Sequence, residues 1–174
     1  MRRAATAIAA AALAALSLSG CAQGAAAPSV AAEVGSQVIT ENEVSDGLDA
    51  LNAASAASGG TEVTRAAVVN MEIRGALAAE VERSSGVVVE DAEVAAILNE
   101  LGQALYANPA TKDLVVGTIR FEMLQQEGLL PVGEFARVVA ATPVTVNPRD
   151  GVWDAEQVAL VNQAGVLASP LSAS

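Results

Sequence analysis

The chain has no histidine and a single cysteine, Cys21. Without histidine there is no Ser-His-Asp or Cys-His nucleophile pair and no histidine-ligated metal. One cysteine excludes a disulfide, a CxxC motif or a thiolate cluster within the chain. Aromatic side chains are almost absent: Tyr106, Phe121, Phe135 and Trp153 are 2% of 174 residues, which favours packed alanine-rich helices over a β-sandwich. Cationic side chains are few, with Lys112 the sole lysine. Apart from Arg2 and Arg3 near the start, seven basic residues face 20 acidic ones, a net charge of −13. Such a surface repels nucleic acid and anionic lipid headgroups, so neither is expected as a partner.

What is present begins with an address. Met1-Arg2-Arg3 is positively charged and Ala4 to Leu18 is apolar. That run makes a helix of about 22 Å, too short for an ordinary membrane span. Small residues Ser19 and Gly20 stand directly before Cys21. The pattern predicts a lipoprotein signal in which Leu18, Ser19 and Gly20 are recognised by the signal peptidase and Cys21 becomes the lipidated residue. Diacylglyceryl and palmitate-type chains together hold a protein to a membrane durably, where one chain alone would not. The expected organisation is a signal peptide over 1–20, lipidated cysteine and flexible tether over 21–29, a helical domain over 30–161 and a loose tail over 162–174. The tether spans at most about 28 Å, which keeps the domain close to the extracytoplasmic face.

Within the domain, Val30 to Thr40 predicts two short extended pieces on either side of Gly35-Ser36. Thr40 and Glu43 have the spacing of a capping box, opening a helix that carries Val44, Leu48 and Leu51 on one face and fades at Ser58-Gly59-Gly60. A second helix over Glu62 to Ser84 carries the stripe Ala66, Val69, Ile73, Leu77 and Val81, with Arg65, Glu72, Ala79 and Glu82 opposite. A third, Glu90 to Tyr106, carries Val94, Ile97, Leu98, Leu101 and Leu105. Its acidic first turn (Glu90, Asp91, Glu93) suits the helix dipole better than calcium, for which no loop motif is present. Asn108-Pro109 starts a fourth helix, running to Glu127, that is apolar almost all round and is expected to be the core helix. The rival reading opens one side of it as a polypeptide groove, with Phe121, Met123 and Leu124 as contacts. A short fifth helix over Val132 to Ala140, a strand over Pro143 to Val146, a turn at Asn147 to Gly151 and Trp153 packed back on the body complete the domain.

Three stretches of this pattern resemble a known family. Val34-Gly35-Ser36-Gln37-Val38-Ile39-Thr40 with Glu43-Val44 resembles the hairpin that leads into the helix bundle of the SurA-type chaperone N-terminal domain. Gly86 to Val94 resembles that family's link into its third helix. Val146 to Asp154 resembles the closing strand and turn of actinobacterial lipoproteins with this domain. Gly35-Ser36 stands where the family has Asn-Gly, and Val89 where it has a serine or threonine cap. The resemblance implies an α+β, mostly helical fold: four to five helices beside a small sheet joining the N-terminal hairpin to a C-terminal strand, with Val144 and Val146 near Val34 or Val38. It also implies chaperone-like binding of unfolded or secreted polypeptides. The parvulin isomerase domain of many relatives would need roughly another 90 residues, so no isomerase activity is expected.

Two other function classes are weighed against this one. A scaffolding lipoprotein that docks one folded partner needs only an anchored bundle. An enzyme working with carboxylates alone would need a marked pair of acids, and the acids here are spread over helix faces and first turns. No catalytic residue, cofactor or metal is assigned.

Overall fold

A computed structural model describes residues 29–101, 107–126 and 129–161. The signal segment with Leu18, Ser19, Gly20 and Cys21, the tether through residue 28, and the tail from residue 162 lie outside the described residues. So do Leu105 and Tyr106 at the expected end of the third helix.

The chain opens with strands β1 (Val30–Val34) and β2 (Gln37–Thr40), an antiparallel hairpin around Gly35-Ser36. Gly35 sits at φ 58°, a left-handed conformation that glycine adopts without the Cβ penalty. Strand β3 (Val144–Val146) pairs with the other edge of β1, setting Val144 opposite Val34 and Val146 opposite Ala32. The sheet order is β2-β1-β3, so the start and end of the domain are joined through β1. Val38 lies on the far strand from β3.

Five helices pack beside this sheet, and the fold is α+β and mostly helical. Helix α1 (Glu41–Ser58) starts where the capping box places it. The Thr40 hydroxyl accepts the Glu43 N–H at 3.2 Å, and Glu43 Oε2 accepts the Thr40 N–H at 2.6 Å. Helix α2 (Arg65–Ser85) begins three residues later than its apolar pattern suggests. Asn52 of α1 engages both backbone groups of Val63, accepting its N–H at 2.7 Å and donating to its carbonyl at 3.3 Å. The backbone there cannot be helical, and Thr64 becomes the N-cap. Helix α3 (Asp91–Leu101) and helix α4 (Pro109–Gln125) follow, the latter capped by Asn108. Helix α5 (Glu134–Ala141) starts two residues after Val132 because Gly133, at φ 79°, breaks the turn before it.

The central helix is α2, which corrects the expectation for α4. Helix α2 packs against α1, α4, α5, β1, β2 and β5 and buries Val68, Val69, Ile73, Ala76, Leu77, Ala78 and Val81. Helix α4 packs on α2, α1 and α3, with Lys112, Asp113 and Glu122 exposed. Its many apolar residues had masked this polar side. The reverse holds for α2: of Arg65, Glu72, Ala79 and Glu82, only Ala79 is freely exposed. A helix covered on several sides has no solvated face to give them.

Two further strands, β4 (Val152–Asp154) and β5 (Ala159–Val161), form a hairpin that the sequence reading did not anticipate. Asp154 holds its turn by accepting the N–H groups of Glu156 and Gln157 at 2.9 and 3.0 Å. Trp153, on β4, is half-buried against the core as expected. The Leu160 N–H donates to Asn70 of α2 at 3.2 Å, fastening the hairpin to the central helix.

Candidate functional site

The groove proposed around Phe121, Met123 and Leu124 is not an open surface. Phe121 is 2% and Leu124 1% exposed, and Met123 is half-buried. Phe135 meets the Phe121 ring edge-on, at 5.2 Å between centroids and 71° between planes, and the Arg74 guanidinium lies 5.5 Å from its centroid. Phe121 and Leu124 are core residues, so a polypeptide contact has to be sought elsewhere.

Two ion-pair networks hold the bundle. In the first, Arg65 at the start of α2 donates to Asp150 Oδ1 at 2.7 Å and to Glu41 at 2.6 Å, while Arg149 pairs with the other oxygen of Glu41. Asp150 is buried, its side chain 2% exposed. The hydrogen bond from Arg149, helped by the Arg65 charge, holds the Glu41 carboxyl below its ordinary range despite burial. This clasp ties the first turn of α1 and the start of α2 to the turn after β3. In the second network Arg120 of α4 donates to Glu82 of α2 at 2.9 Å, to the Val89 carbonyl at 3.3 Å and to Asp91. Glu82 also accepts the Val89 N–H at 2.8 Å. A side chain from α2 thus fastens the backbone just before α3, at the position where the family has a serine or threonine. Asp91, weighed above as a calcium ligand, is committed to Arg120. Both networks are structural.

A third group of charges has no such partner. Glu43 of α1, Glu72 of α2 and Asp113 of α4 line one cleft of about 260 Å³ together with Gln37, Val38 and Ile39 of β2. Its remaining wall is small or aliphatic: Gly75, Ala76, Val116 and Gly117. No lysine or arginine lines it. Among the described residues no ion pair reaches these three acids, whereas Glu41, Glu80, Glu82, Asp91, Glu134 and Asp150 all meet an arginine. Nor does any group of three acids among the described residues sit close enough to hold a metal ion. Burial, with added repulsion from Glu43 and Asp113, pushes the Glu72 carboxyl up to about 7 from its ordinary 4.5.

A testable pH dependence follows from that shift. The folded domain holds the Glu72 proton more tightly than the unfolded chain, so stability falls as pH rises from about 4.5 through about 7. Allowing for partial exposure of the carboxyl, the loss is about 2 kcal/mol. Urea midpoints measured from pH 5 to 8 should decline more steeply for the native chain than for Glu72→Gln. Parallel profiles would mean that Glu72 is an ordinary solvated acid.

Sequence reasoning placed Glu72 on an outward face and gave Asp113 no role. The sequence offered no direct signal: the three acids lie on separate helices, and Asp113 and Glu72 stand beside Lys112 and Arg74 in the chain. Only the packing of α1, α2 and α4 brings them together. Compared with protein-family models, curated proteins and solved structures, the chain matches none.

Proposed function

We propose that the protein is a lipid-anchored, extracytoplasmic polypeptide-binding protein of the SurA-type N-domain class, acting by binding alone and without isomerase chemistry. The observation that carries the anchoring is Leu18-Ser19-Gly20-Cys21 at the end of an apolar run of signal-peptide length. Support for the polypeptide-binding part is the hairpin leading into a helical bundle, with β3 returning to β1, as the family resemblance implies. An unpartnered acidic cleft beside the strand β2 adds a place where a chain segment can be held.

A second reading, docking of one folded partner, gains from the enclosure of Phe121 and Leu124. Without a broad apolar groove on α4, promiscuous capture of unfolded chains has less surface to use. The two readings separate in membranes. Crosslinking to many immature exported proteins supports chaperone-like binding, while one dominant adduct supports scaffolding. In solution, a form lacking residues 1–21 should delay aggregation of unfolded clients at near-equimolar ratio. Failure across several clients removes the chaperone reading.

The anchor has its own test. Cys21→Ala should abolish incorporation of labelled fatty acid and move the protein from the membrane pellet to the soluble fraction. A variant that still takes up label, or stays membrane-bound after signal removal, would show that Cys21 is not the attachment point.

A further inference from the structure

We propose that the free edge of β2 and the cleft beside it take one extended polypeptide segment bearing a lysine or arginine, which pairs with Val38 as an added strand and places its cation among Glu43, Glu72 and Asp113. This names the class of segment bound and rests on the polypeptide-binding reading above.

The hydrogen-bond ladder shows which backbone groups are open. The Gly35 N–H donates to the Pro143 carbonyl and the Asn147 N–H to the Ala31 carbonyl, each at 2.8 Å. Odd-numbered residues of β1 therefore face β3, and Ala32 and Val34 face β2, opposite Ile39 and Gln37. Val38, opposite Glu33, stands at the position between, where an antiparallel pair exchanges no hydrogen bonds. Its own N–H and C=O point away from β1, along the outer edge of the sheet. At the next outward position, Thr40, the N–H is already taken by Glu43. Val38 therefore offers a donor and an acceptor to an incoming strand, and its side chain is 51% exposed. Strand addition at a sheet edge draws its affinity from such main-chain groups and its selectivity from side-chain pockets.

The adjoining cleft defines the side chain. Its apolar wall (Ala76, Val116 and the glycines of α2 and α4) suits the aliphatic stem of lysine or arginine. The three carboxylates supply the complement to its head and have no protein cation of their own. Among the described residues the three acids do not form a group that could hold a metal ion, whereas a cation on a flexible stem can reach in beside them. A cation brought beside Glu72 also favours the charged carboxylate, which burial and, to a lesser degree, the charges of Glu43 and Asp113 disfavour.

The test uses the full chain purified in detergent and a short labelled peptide of alternating valine and threonine with one central lysine, followed by fluorescence anisotropy. The lysine peptide should bind at least roughly tenfold more tightly than its glutamine counterpart, with the difference shrinking as salt is raised. Val38→Pro removes the outward N–H without touching the β1 ladder and should abolish binding. Glu72→Gln with Asp113→Asn should erase the preference for lysine. A peptide methylated on its backbone nitrogens should also fail to bind, which tests strand addition without altering the protein. Equal binding of lysine and glutamine peptides, or full binding of the methylated peptide, overturns the proposal. So does a dimer of the chain that Val38→Pro dissolves, since a second copy would then own the edge. If the peptide results hold while client aggregation is not delayed, the chaperone reading fails and this site stands. If aggregation is delayed equally by Val38→Pro, the site fails and the broader reading stands.

Discussion

Replacing Gly117 with valine is expected to cost the domain about 3 kcal/mol or more, a large part of the stability of a chain this size. Helices α2 and α4 cross with their backbones in contact at Gly75 and Gly117. A Cβ placed on Gly117 would lie 2.9 Å from the Gly75 Cα, a contact that side-chain rotation cannot relieve. The two helices would have to separate, and both contribute residues to the core, Ile73 and Leu77 from α2 and Leu114 and Ile119 from α4. Gly117→Ala is the sharper test. On an exposed helix that change stabilises by about 1 kcal/mol, whereas here overpacking reverses the sign, for a net loss of about 1–2 kcal/mol. Gly75→Ala should be milder, its nearest backbone neighbour being at 3.3 Å. Gly47→Ala meets side chains and no backbone: the end of Leu114, which can turn aside, at 2.6 Å and Val68 Cγ1 at 3.3 Å. Urea midpoints should therefore fall in the order Gly47→Ala, Gly75→Ala, Gly117→Ala, Gly117→Val. A Gly117→Ala protein as stable as the native one would mean that the close crossing does not exist.

The second large effect is expected at the clasp, and it is asymmetric. Arg65→Ala leaves the Asp150 carboxylate, 2% exposed, without its bidentate partner; Arg149 approaches only to 3.9 Å. An uncompensated buried charge is among the costliest single changes, and a loss of about 3 kcal/mol is expected. Asp150→Asn should cost roughly half as much, because Arg65 is 32% exposed and keeps Glu41 as a partner. Thermal unfolding of the two variants at low and high salt measures both effects. High salt should narrow the gap only slightly, since the buried pair is poorly screened. Equal and small losses would identify the clasp as a surface pairing of little energetic weight.

These two features show which parts of the fold can be read from residues and which cannot. The start of α1 was legible because Thr40 and Glu43 satisfy each other's backbone groups within one turn, whatever surrounds them. The same is true of the hairpin at Gly35-Ser36 and of Asn108-Pro109 at the head of α4, where one side chain or one φ value settles the local geometry. The delayed start of α2 was not legible, because the group that prevents an earlier turn is Asn52, eleven residues away on another helix. The β4–β5 hairpin was hidden for a similar reason: three-residue strands carry too little alternation to register, and Asn70 of α2 helps hold them in place.

The candidate site lies further along the same scale. Arg65 and Asp150 are separated by 85 positions, and nothing near either one names the other. Glu43 read as a capping residue, Glu72 as a residue of an outward face and Asp113 as nothing in particular, and two of the three helices were ranked in the wrong order of burial. In α4 the many large apolar residues hid the polar side, and in α2 the ambiguity comes from alanine. Alanine counts as apolar in any pattern yet fits a buried or an exposed position equally well, so an alanine-rich helix does not declare which side is covered.

By itself, then, the sequence determined those helix starts and turns whose hydrogen bonds close within a few residues, such as Thr40 with Glu43 and Asn108-Pro109. It also holds the Leu18-Ser19-Gly20-Cys21 pattern on which the proposed anchoring rests, and it excludes histidine chemistry and a disulfide within the chain, since these depend on residue identity alone. Only the tertiary structure decided that α2 is the axis of the bundle, that Gly117 must be glycine and that three unpaired carboxylates share a cleft with the edge of β2. Those outcomes depend on which helix faces meet, and contact between faces is set by the packing of the whole chain.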